Sequence, residues 1–423
     1  MGSSDRKVIV IGAGAAGLMA AISAAERGAE TKLLESTAGG GKKILISGGG
    51  RCNVLPSKLD HRQYVTASSP NSLKKMLLSW PLEEQRRYFE EVLAVPLALE
   101  ADSGKLFPAS NRARDVREAL LWRAAELGVQ VIFGARVDDV VSAAPEGWRV
   151  ISGSGEWVAP AIVFATGGLS VPQTGSDGAG LRILADLGHP VHPTYPALTP
   201  LTAAPPVHAE LAGVSLPVAL SAKTRGGVFG TKGGFLFTHR GYSGPAVLDI
   251  SHLAVLSVIE GRDRQRIEVC WGELSAARWE ELFSEGGGAT VVTLVRRHLP
   301  TRLADRLVAE AGVDGRRVLA QLKRDERARL VQTLSSYPLP WTGDEGYRKA
   351  EVTGGGVALG AVDPATLESR SHPGLFLCGE LLDAFGPIGG YNFAWAWATG
   401  RAAGAGAAAA AGARTTSRGD NDG

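Results

Sequence analysis

The pattern of apolar and polar residues at the start of the chain predicts a strand, a turn and a helix. Residues 7–11 (KVIVI) form a continuous apolar run of the kind found in buried parallel strands. Residues 15–27 carry helix formers and end at Gly28, a residue typical of a helix C-terminus. A second apolar run at 31–34 gives the next strand. A strand, a helix and a strand with short links form the parallel unit that opens a doubly wound sheet.

Further along, helix and strand patterns alternate. Residues 112–127 predict an amphipathic helix that ends at Gly128, followed by a strand at 129–133. A buried strand with a glycine turn returns at 161–168 (AIVFATGG). Short runs between turn residues predict an antiparallel meander with strands at 137–142, 148–152 and 156–158.

The composition and the residue pattern change between residues 195 and 347, where predicted proline-rich strands are followed by predicted helices rich in Arg and Leu. We interpret this stretch as an inserted substrate or cap domain. Its first part, 195–272, is predicted to be β-rich and to resemble a small barrel or sandwich. Its second part, 273–347, is predicted to be helical.

Strand and glycine signals resume after the insert, and residues 391–411 predict a last helix. Residues 1–194 and 348–413 therefore form one discontinuous domain. The predicted fold class is α/β, a Rossmann-type doubly wound domain interrupted by the insert. Residues 1–4 have the character of an expression remnant, and residues 414–423 are predicted to be a disordered tail.

Composition and charge restrict the class of partner. Apolar residues make up 44% of the chain and charged residues 21%, which is ordinary for a globular protein. The net charge of +2 creates no overall field that would attract nucleic acid or anionic lipid. We therefore expect a small-molecule substrate. The oligomeric state does not follow from these patterns.

The three cysteines, Cys52, Cys270 and Cys378, are far apart in sequence and form no CxxC pair. This spacing favours neither a disulfide framework nor a redox dithiol, and the reducing cytoplasm is the predicted compartment. No His or Cys cluster has the spacing of a metal site, so no metal is expected. Residues 393–413 are long enough to span a bilayer but consist mostly of Ala and Gly, with Arg401 among them, so we predict a buried helix and no membrane contact.

The sharpest motif is GAGAAG at residues 12–17, directly after a predicted strand and at the start of a helix. Gly12 allows the tight turn, Gly14 lets the backbone approach a pyrophosphate, and Gly17 lets helix and strand pack closely. Glu35 ends the second strand, where its carboxylate can accept hydrogen bonds from both hydroxyls of an adenosine ribose. The same charge would repel a 2'-phosphate, so NADP is not expected here.

Because FAD and NAD share this fingerprint, the choice between them depends on other segments. The segment 41–53 (GKKILISGGGRCN) joins a triple glycine to cations suited to phosphate or to a flavin edge, although a plain flexible loop is the alternative. ATGG at 165–168 ends a strand at the edge where nucleotides bind, although a simple turn would look the same. In the segment 374–393, GLFLCGE and Asp383 precede GGYNF and a helix start whose partial positive charge would stabilise a reduced flavin ring.

These motifs together resemble the BaiN/RdsA-type family of NAD(P)/FAD-dependent oxidoreductases, also described as aminoacetone-oxidase-like flavoproteins. The resemblance extends over nearly the whole chain. SGGGRCN and THRGYSGP are much more specific than a bare glycine pattern. The other motifs that carry the resemblance are GAGAAG with Glu35, LFP at 106–108, ATGG, PALTPL at 196–201, EVTGGGV and CGELLDAFGPIGGYNFAWA.

The resemblance implies FAD in the interrupted Rossmann domain, with the inserted domain over the flavin. No second glycine fingerprint is visible, so NAD(P)H would visit the flavin only transiently. The fingerprint and the resemblance together predict cofactor contacts at Gly12, Gly14, Ala15, Ala16, Gly17, Glu35, Lys43, Ser47, Gly50, Arg51, Asn53, Val137, Thr166, Gly167, Gly379, Glu380, Gly390, Tyr391, Asn392 and Phe393.

The proton partner is harder to assign because the flavin itself carries the redox chemistry. We predict His239 and Tyr242 as catalytic residues, since the resemblance places their segment near the flavin and His239 could exchange a proton near neutral pH. The alternative for His239 is a backbone hydrogen bond in a packed loop. Tyr242 stands where the family usually has a small or aliphatic residue, and it would add a phenol on the substrate side.

The predicted function is hydride transfer between FAD and a small organic substrate, with NAD(P)H or oxygen as the other redox partner. Both an NAD(P)H-dependent reductase and an amine oxidase fit. One alternative is a flavoprotein that modifies nucleic acid, because residues 296–329 hold ten Lys or Arg against five Asp or Glu. Another alternative is a redox-sensing flavoprotein with little turnover.

Overall fold

The computed structural model describes residues 6–144 and 147–419, with side chains described up to residue 413. The chain divides into two compact units. The host unit comprises Met1–Thr194 and Val352–Gly423, and the inserted unit comprises Tyr195–Glu351. Residues 1–4, predicted to be an expression remnant, lie outside the described residues. So do residues 420–423, the last four of the segment predicted to be a disordered tail.

The chain up to the insert alternates between strands and helices. Its strands are β1 Lys7–Ile11, β2 Glu30–Glu35, β3 Leu55–Pro56, β4 Leu97–Glu100, β5 Lys105–Pro108, β6 Gln130–Phe133, β7 Val137–Ala143, β8 Gly147–Ser152, β9 Gly155–Ala159, β10 Ala161–Phe164 and β11 Val191–Ala197. Its helices are α1 Ala15–Ala25, α2 Lys42–Ile46, α3 Pro70–Leu77, α4 Leu82–Arg87, α5 Ala113–Glu126 and α6 Ala179–Asp186.

The inserted unit and the C-terminal part of the host unit follow. The inserted unit has strands β12 Leu201–Thr202, β13 Ser215–Thr224, β14 Gly227–Phe237, β15 Gly241–Ser243, β16 Glu268–Trp271, β17 Tyr337–Pro338 and β18 Gly343–Asp344. Its helices are α7 Pro245–Ile259, α8 Ala276–Ser284, α9 Val291–Arg296, α10 Thr301–Glu310 and α11 Arg324–Ser335. The host unit ends with β19 Val352–Val357, β20 Leu375–Leu377 and α12 Tyr391–Gly419.

The host unit is built on a parallel sheet with the strand order β20-β10-β1-β2-β6. β1 lies near its centre, between β10 and β2, and β10 has four buried residues, as the apolar runs predict. All pairings in this sheet are parallel. The predicted Rossmann-type α/β fold class is therefore confirmed. The predicted meander also forms, as the antiparallel sheet β7-β8-β9.

The C-terminal helix α12 packs against α1 through glycine. A Cβ atom at Gly400 would lie 2.3 Å from the carbonyl oxygen of Ala16, and one at Gly404 would lie 2.1 Å from that of Ala20. The backbones are therefore in direct contact, which explains the many small residues in α12. The helix continues to Gly419, into the segment predicted as a tail. No helix in the described part of the chain is long and apolar enough to cross a membrane.

The inserted unit contains a seven-stranded sheet with the order β17-β16-β13-β14-β15-β12-β18. Its two edge strands, β17 and β18, are separated by only residues 339–342, a stretch that can span at most about 18 Å. The sheet must therefore curl until its edges approach each other, which is barrel-like, as predicted.

The prediction for the insert omitted one element. The segment 195–272 is rich in strand, with β12 to β16, and it also contains the 15-residue helix α7. The helix begins with Pro245 at its first turn, a favoured position, and buries eight residues against the sheet. Because eleven of the fifteen positions of α7 are apolar, the segment lacks the one-sided periodicity that would have distinguished it from strand.

Candidate functional site

The glycine turn after β1 has the geometry of a dinucleotide fingerprint. Gly12 adopts a φ of +99°, and a Cβ there would lie 2.6 Å from the carbonyl oxygen of Ala165. A Cβ at Gly17 would lie 1.8 Å from the carbonyl oxygen of Gly12, so only glycine lets α1 pack on the turn. At Gly14, in contrast, no atom lies within 4 Å of the Cβ position. The turn is therefore closed on its inner side and open at Gly14.

The open side of the turn coincides with the N-terminus of α1. Gly14 is the N-cap residue and has no side chain to satisfy the first-turn amides. The amides of Ala15, Ala16 and Gly17 have no acceptor within the helix, as in any first turn. Three amide donors beside open space, with the helix dipole behind them, fit a pyrophosphate.

Glu35 links the turn to the end of β2. Its side chain is 7% exposed, and Oε2 accepts a hydrogen bond of 2.9 Å from the Ala13 amide. Oε1 accepts from the amide and the hydroxyl of Thr37, at 2.9 and 2.7 Å. The carboxylate therefore stands beside the glycine turn, at the position predicted for ribose recognition. Val137 begins β7 two residues after Ala135, whose amide donates to the Glu35 carbonyl.

A polar cluster joins four segments at the carboxyl edge of the parallel sheet. Lys43 Nζ donates to Glu380 Oε2 at 2.6 Å and to Ser170 Oγ at 2.7 Å. Ser170 Oγ donates to Glu380 Oε1 at 2.6 Å. The amide and the hydroxyl of Thr353 donate to the same Oε1, at 3.1 and 3.0 Å. Glu380 is thus held by three side chains distant in sequence, two of which, Ser170 and Thr353, were not predicted.

Thr353 also shapes the predicted ATGG turn. Its hydroxyl accepts from the amides of Leu169 and Ser170, at 2.7 and 3.1 Å. A Cβ at Gly168 would lie 2.3 Å from this hydroxyl, and Gly167 has a φ of +70°. The two glycines therefore let the loop after β10 close over Thr353. This arrangement brings Gly167 next to the cluster around Glu380.

Two predicted contact residues carry unsatisfied polar atoms. Asn53 Oδ1 and Thr166 Oγ1 are buried and have no hydrogen-bond partner within the described residues. Buried polar atoms are normally paired, and an unpaired one is costly. Their positions in SGGGRCN and ATGG fit a polar ligand at this edge. Together with the open turn at Gly14, they show that the residues present fit a bound dinucleotide.

Other residues of the segment 41–53 are engaged within the protein. Ser47 Oγ donates to the carbonyl of Ile44, and Gly50 has a φ of +83°. Arg51 forms an ion pair of 3.0 Å with Glu100 and lies 4.0 Å above the Phe107 ring. In this structure Arg51 therefore contacts the β4–β5 hairpin.

Cys52, beside Arg51, lies in the interior of the host unit. Burial raises the pKa of its thiol to about 12, although a hydrogen bond with Ser47 opposes the shift. A thiolate is thus disfavoured, which argues against a covalent flavin link at Cys52.

The segment before α12 forms a compact loop. A Cβ at Gly390 would lie 2.5 Å from the backbone of Leu55. The Asn392 side chain accepts from the Gly386 amide and donates to the Gly386 carbonyl, at 2.8 and 2.9 Å. The Trp395 indole donates to the Gly379 carbonyl at 3.0 Å. The loop thereby fixes the start of α12.

Two residues in the first turn of the helix, Tyr391 and Phe393, are also held from outside the loop. The Tyr391 carbonyl accepts from the Tyr64 hydroxyl at 2.7 Å. Phe393 stacks on Trp397, with ring centroids 5.4 Å apart. The predicted contact residues 379–393 are therefore brought together around one helix N-terminus.

The two predicted catalytic residues lie in different environments of the inserted unit. His239 is exposed, in the turn between β14 and β15. Tyr242 is completely buried in β15, and burial raises its pKa above the ordinary value. Its phenol oxygen lies 2.9 Å from His208 Nδ1. In this structure Tyr242 contacts His208 and has no solvent access.

His208 belongs to a buried polar cluster that was not predicted. Its Nε2 lies 3.1 Å from Glu310 Oε1 and 3.3 Å from the Tyr337 hydroxyl. Because a carboxylate can only accept a hydrogen bond, His208 Nε2 carries the hydrogen of the contact with Glu310. Burial opposes ionisation of Glu310, but hydrogen bonds from His208, Tyr337 and Arg306 lower its pKa to about 2. The cluster therefore stabilises an ionised carboxylate and ties the sheet of the inserted unit to α10.

Five of the ten cations in the basic stretch 296–329 form ion pairs with carboxylates. The ion pairs are Arg296 with Asp305, Arg306 with Glu310, Arg317 with Glu326, Arg327 with Glu280 and Arg329 with Asp325. Four of these five carboxylates belong to the stretch itself and only Glu280 comes from outside it, so most of the excess positive charge counted along the sequence remains at this surface. No group of three potential metal ligands occurs among the described residues.

The parallel sheet, the glycine turn with Glu35 and the edge cluster define an FAD-binding Rossmann-type domain of the oxidoreductase class. The chain belongs to the family described as HI0933-like protein Rossmann domain, which matches residues 6–406. The family resemblance inferred from the motifs is thus confirmed.

Two curated relatives are similar to this chain over most of its length. One is a ribosomal RNA dihydrouridine synthase of Escherichia coli (strain K12), 34% identical, with 92% of this chain and 94% of that protein covered. The other is a 3-dehydro-bile acid delta(4,6)-reductase of Clostridium scindens, 31% identical, with 92% and 96% covered.

Solved structures of flavoenzymes share the fold. A 3-ketosteroid delta1-dehydrogenase from Sterolibacterium denitrificans has a TM-score of 0.51 at 13% identity, with 95% of this chain and 99% of that chain covered. An open flavocytochrome c3 fumarate reductase has a TM-score of 0.50 at 17% identity, with 96% and 78% covered. At these identities the similarity establishes the fold alone.

Proposed function

We propose that this protein is an FAD-dependent reductase that saturates a carbon–carbon double bond conjugated with a carbonyl group. The proposal rests on the names of the two relatives that align with 92% of this chain. Dihydrouridine is uridine whose ring double bond, conjugated with a carbonyl, has gained two hydrogens. A delta(4,6)-reductase of a 3-dehydro bile acid likewise acts on double bonds that are conjugated with a ketone. The common chemistry is addition of hydride and proton to a polarised alkene.

Different residues of the host unit would bind different parts of FAD. The first-turn amides at Ala15, Ala16 and Gly17 would bind the pyrophosphate, and Glu35 would accept the ribose hydroxyls. The N-terminus of α12, from Tyr391 to Phe393, would stabilise negative charge on the reduced ring. Val137, two residues after the Ala135 amide that donates to the Glu35 carbonyl, would lie at the adenosine end. The other predicted contacts, from Lys43 to Glu380, would surround the flavin end of the cofactor. Bound and reduced, FAD supplies the hydride.

NADH or NADPH is the proposed electron donor, reaching the flavin transiently. A reductase needs such a donor, whereas the amine oxidase alternative would use oxygen as acceptor. Of the two predicted proton partners, His239 has solvent access, whereas Tyr242 is enclosed. We propose the cytoplasm as the compartment, since Cys52, Cys270 and Cys378 are all free thiols.

The test is anaerobic spectroscopy of the purified protein. We expect a flavin absorption spectrum that bleaches on addition of NADH or NADPH and returns on addition of a cyclic enone. A protein that binds no FAD would overturn the cofactor assignment. Flavin that is reoxidised by oxygen and never by an enone would overturn the reductase assignment in favour of an oxidase.

Ribosomal RNA is a second candidate substrate, favoured by the 34% identity to the dihydrouridine synthase. Against it, five of the ten cations in the most basic stretch of the inserted unit, residues 296–329, are already paired with carboxylates. Reduced protein should be offered protein-free ribosomal RNA and a steroid enone in parallel, and the RNA digested and analysed for dihydrouridine by mass spectrometry. Dihydrouridine at a single position would select RNA, and rapid turnover of the enone alone would select a small molecule.

A further inference from the structure

A second polar cluster of the host unit, separate from the contacts of Glu380, surrounds the buried carboxylate of Asp383. Asp383 is 2% exposed. Its Oδ2 accepts from the amide and hydroxyl of Ser68, at 2.9 and 2.7 Å, and from the Ala67 amide at 3.0 Å. The Thr66 hydroxyl donates to the Asp383 carbonyl at 2.6 Å. Three donors on one carboxylate oxygen compensate a buried negative charge and fix the loop that carries Ser68.

The hydrogen bonds of Ser68 determine the tautomer of His192. The single hydroxyl hydrogen of Ser68 points to Asp383, and its oxygen also accepts from the Leu359 amide at 3.0 Å. His192 Nε2 lies 3.3 Å from the same oxygen and 3.6 Å from Asp383 Oδ2. Because Ser68 has no second hydrogen to donate, Nε2 must carry the hydrogen of this contact. In the neutral ring, Nδ1 is therefore the unprotonated nitrogen.

The imidazole of His192 is the half-exposed member of this cluster. Its side chain is 36% exposed, whereas that of Asp383 is 3% exposed. Within the described residues, Nδ1 of His192 has no hydrogen-bond partner, so it is available to an incoming molecule. An imidazole with one nitrogen anchored to a carboxylate network and the other free is the arrangement of a general acid or base.

The cluster lies beside the predicted cofactor residues. β11, which carries His192, pairs with β19, and a Cβ at Gly355 would lie 3.1 Å from the His192 carbonyl oxygen. Two residues earlier on β19, Thr353 holds Glu380 at the carboxyl edge of the parallel sheet. Asp383 follows Glu380 by three positions. His192 therefore stands at the edge where this fold class binds its ligands.

We propose that His192 is the proton donor of the reduction, with Ser68 and Asp383 as positioning residues; the inference rests on the proposed function. The carbon next to the substrate carbonyl takes a proton from Nδ1–H of the imidazolium, while the other alkene carbon takes the hydride that reduced flavin supplies. The product gains two hydrogens, the flavin is oxidised and the imidazole becomes neutral. The imidazole then regains its proton from solvent.

The first test requires no turnover. The protein is labelled with 15N-histidine and studied by NMR, and the His192 signals are assigned as those missing from the spectrum of His192→Gln. In the neutral ring, we expect the hydrogen to be on Nε2. Ser68→Ala should shift the ring toward a mixture of tautomers, since it removes the acceptor that fixes Nε2–H. A neutral His192 in the Nδ1–H form in the unmodified protein would overturn the proposal.

The second test separates the two half-reactions by stopped-flow absorbance. His192→Gln should accept electrons from NAD(P)H at the rate of the unmodified enzyme, and its reoxidation by an enone should be slower by about 10²- to 10⁴-fold. His61→Gln, a partly exposed histidine of the host unit that lies 3.9 Å from the Asp60 carboxylate, is the matched control and should behave as unmodified. His239→Gln tests the other predicted proton partner. His192→Asn serves as a second variant where the glutamine variant lacks the native flavin spectrum.

The outcomes separate the inference from the proposed function. Reoxidation of His192→Gln at the unmodified rate, or slowing by His239→Gln instead, would overturn the role of His192 and leave the reductase assignment intact. Failure of the unmodified reduced enzyme to react with any enone would contradict the proposed function itself.

Discussion

We predict that recognition of the adenosine end depends most on Glu35. Its carboxylate is 7% exposed and stands beside the glycine turn, so its charge is poorly screened. We expect Glu35→Gln to weaken FAD binding about tenfold to a hundredfold, because a hydrogen bond to a charged group contributes about 1.5–3 kcal/mol. Quenching of flavin fluorescence during titration of the apoprotein measures this effect. Glu30→Gln, at the start of the same strand, is the control, and equal affinities of the two variants would refute the role of Glu35.

His252 makes the stability of the inserted unit depend on pH. Burial lowers the pKa of this histidine from 6.5 to about 4, although a hydrogen bond to the Asp249 carbonyl opposes the shift. Below pH 6.5 the unfolded chain takes up a proton that the native ring resists, so stability falls as the pH drops from 6.5 toward 4. Above pH 7 the histidine contributes no pH dependence.

The pH effect can be isolated with His252→Gln, which retains a side-chain donor. Between pH 7.5 and pH 5 the unmodified protein should lose about 2 kcal/mol more unfolding free energy than the variant. Urea denaturation followed by tryptophan fluorescence at both pH values gives the comparison. Parallel losses in the two proteins would mean that His252 is not the group responsible.

At the scale of elements, the contact between α1 and α12 depends on glycine. Gly404→Ala would normally stabilise an exposed helix by about 1 kcal/mol, since alanine is the better helix former. Here the new Cβ would lie 2.1 Å from the Ala20 carbonyl oxygen, so the helices must separate. We therefore expect a loss of about 1–3 kcal/mol from overpacking. Chemical denaturation measures the sign, and Ala409→Leu on the exposed face of α12 should be nearly neutral.

The elements that sequence patterns predict well are those defined locally. The apolar run of β1, the turn at Gly12 and the helix that follows are contiguous, so periodicity and one motif suffice. α7 escaped prediction because its apolar positions surround the helix. The partners of Glu380 escaped for another reason: Ser170 lies 210 positions away, and only the parallel sheet brings the two together. Contacts between residues so far apart in sequence cannot be predicted from the spacing of residues within a motif.

At the scale of the whole molecule, the two units have separate hydrophobic cores. The host core includes β1, α1 and α12, whereas the core of the inserted unit is formed by residues such as Trp271 and Trp279. All the predicted FAD contacts lie in the host unit, from Gly12 to Phe393. A ligand stabilises the cooperative unit that binds it and not one that unfolds independently.

Calorimetry should therefore resolve two unfolding transitions, one for each unit. Addition of FAD should raise the midpoint temperature of the host unit only. At free FAD a hundredfold above its dissociation constant, the host unit should gain about 2.7 kcal/mol, and its midpoint should rise by a few degrees. Glu35→Gln should show a smaller rise at the same FAD concentration, because less of the protein is bound. The inserted unit, followed through its buried tryptophans, should keep its midpoint. A single transition that moves as a whole would show instead that the units unfold together, and FAD binding would then stabilise the entire chain.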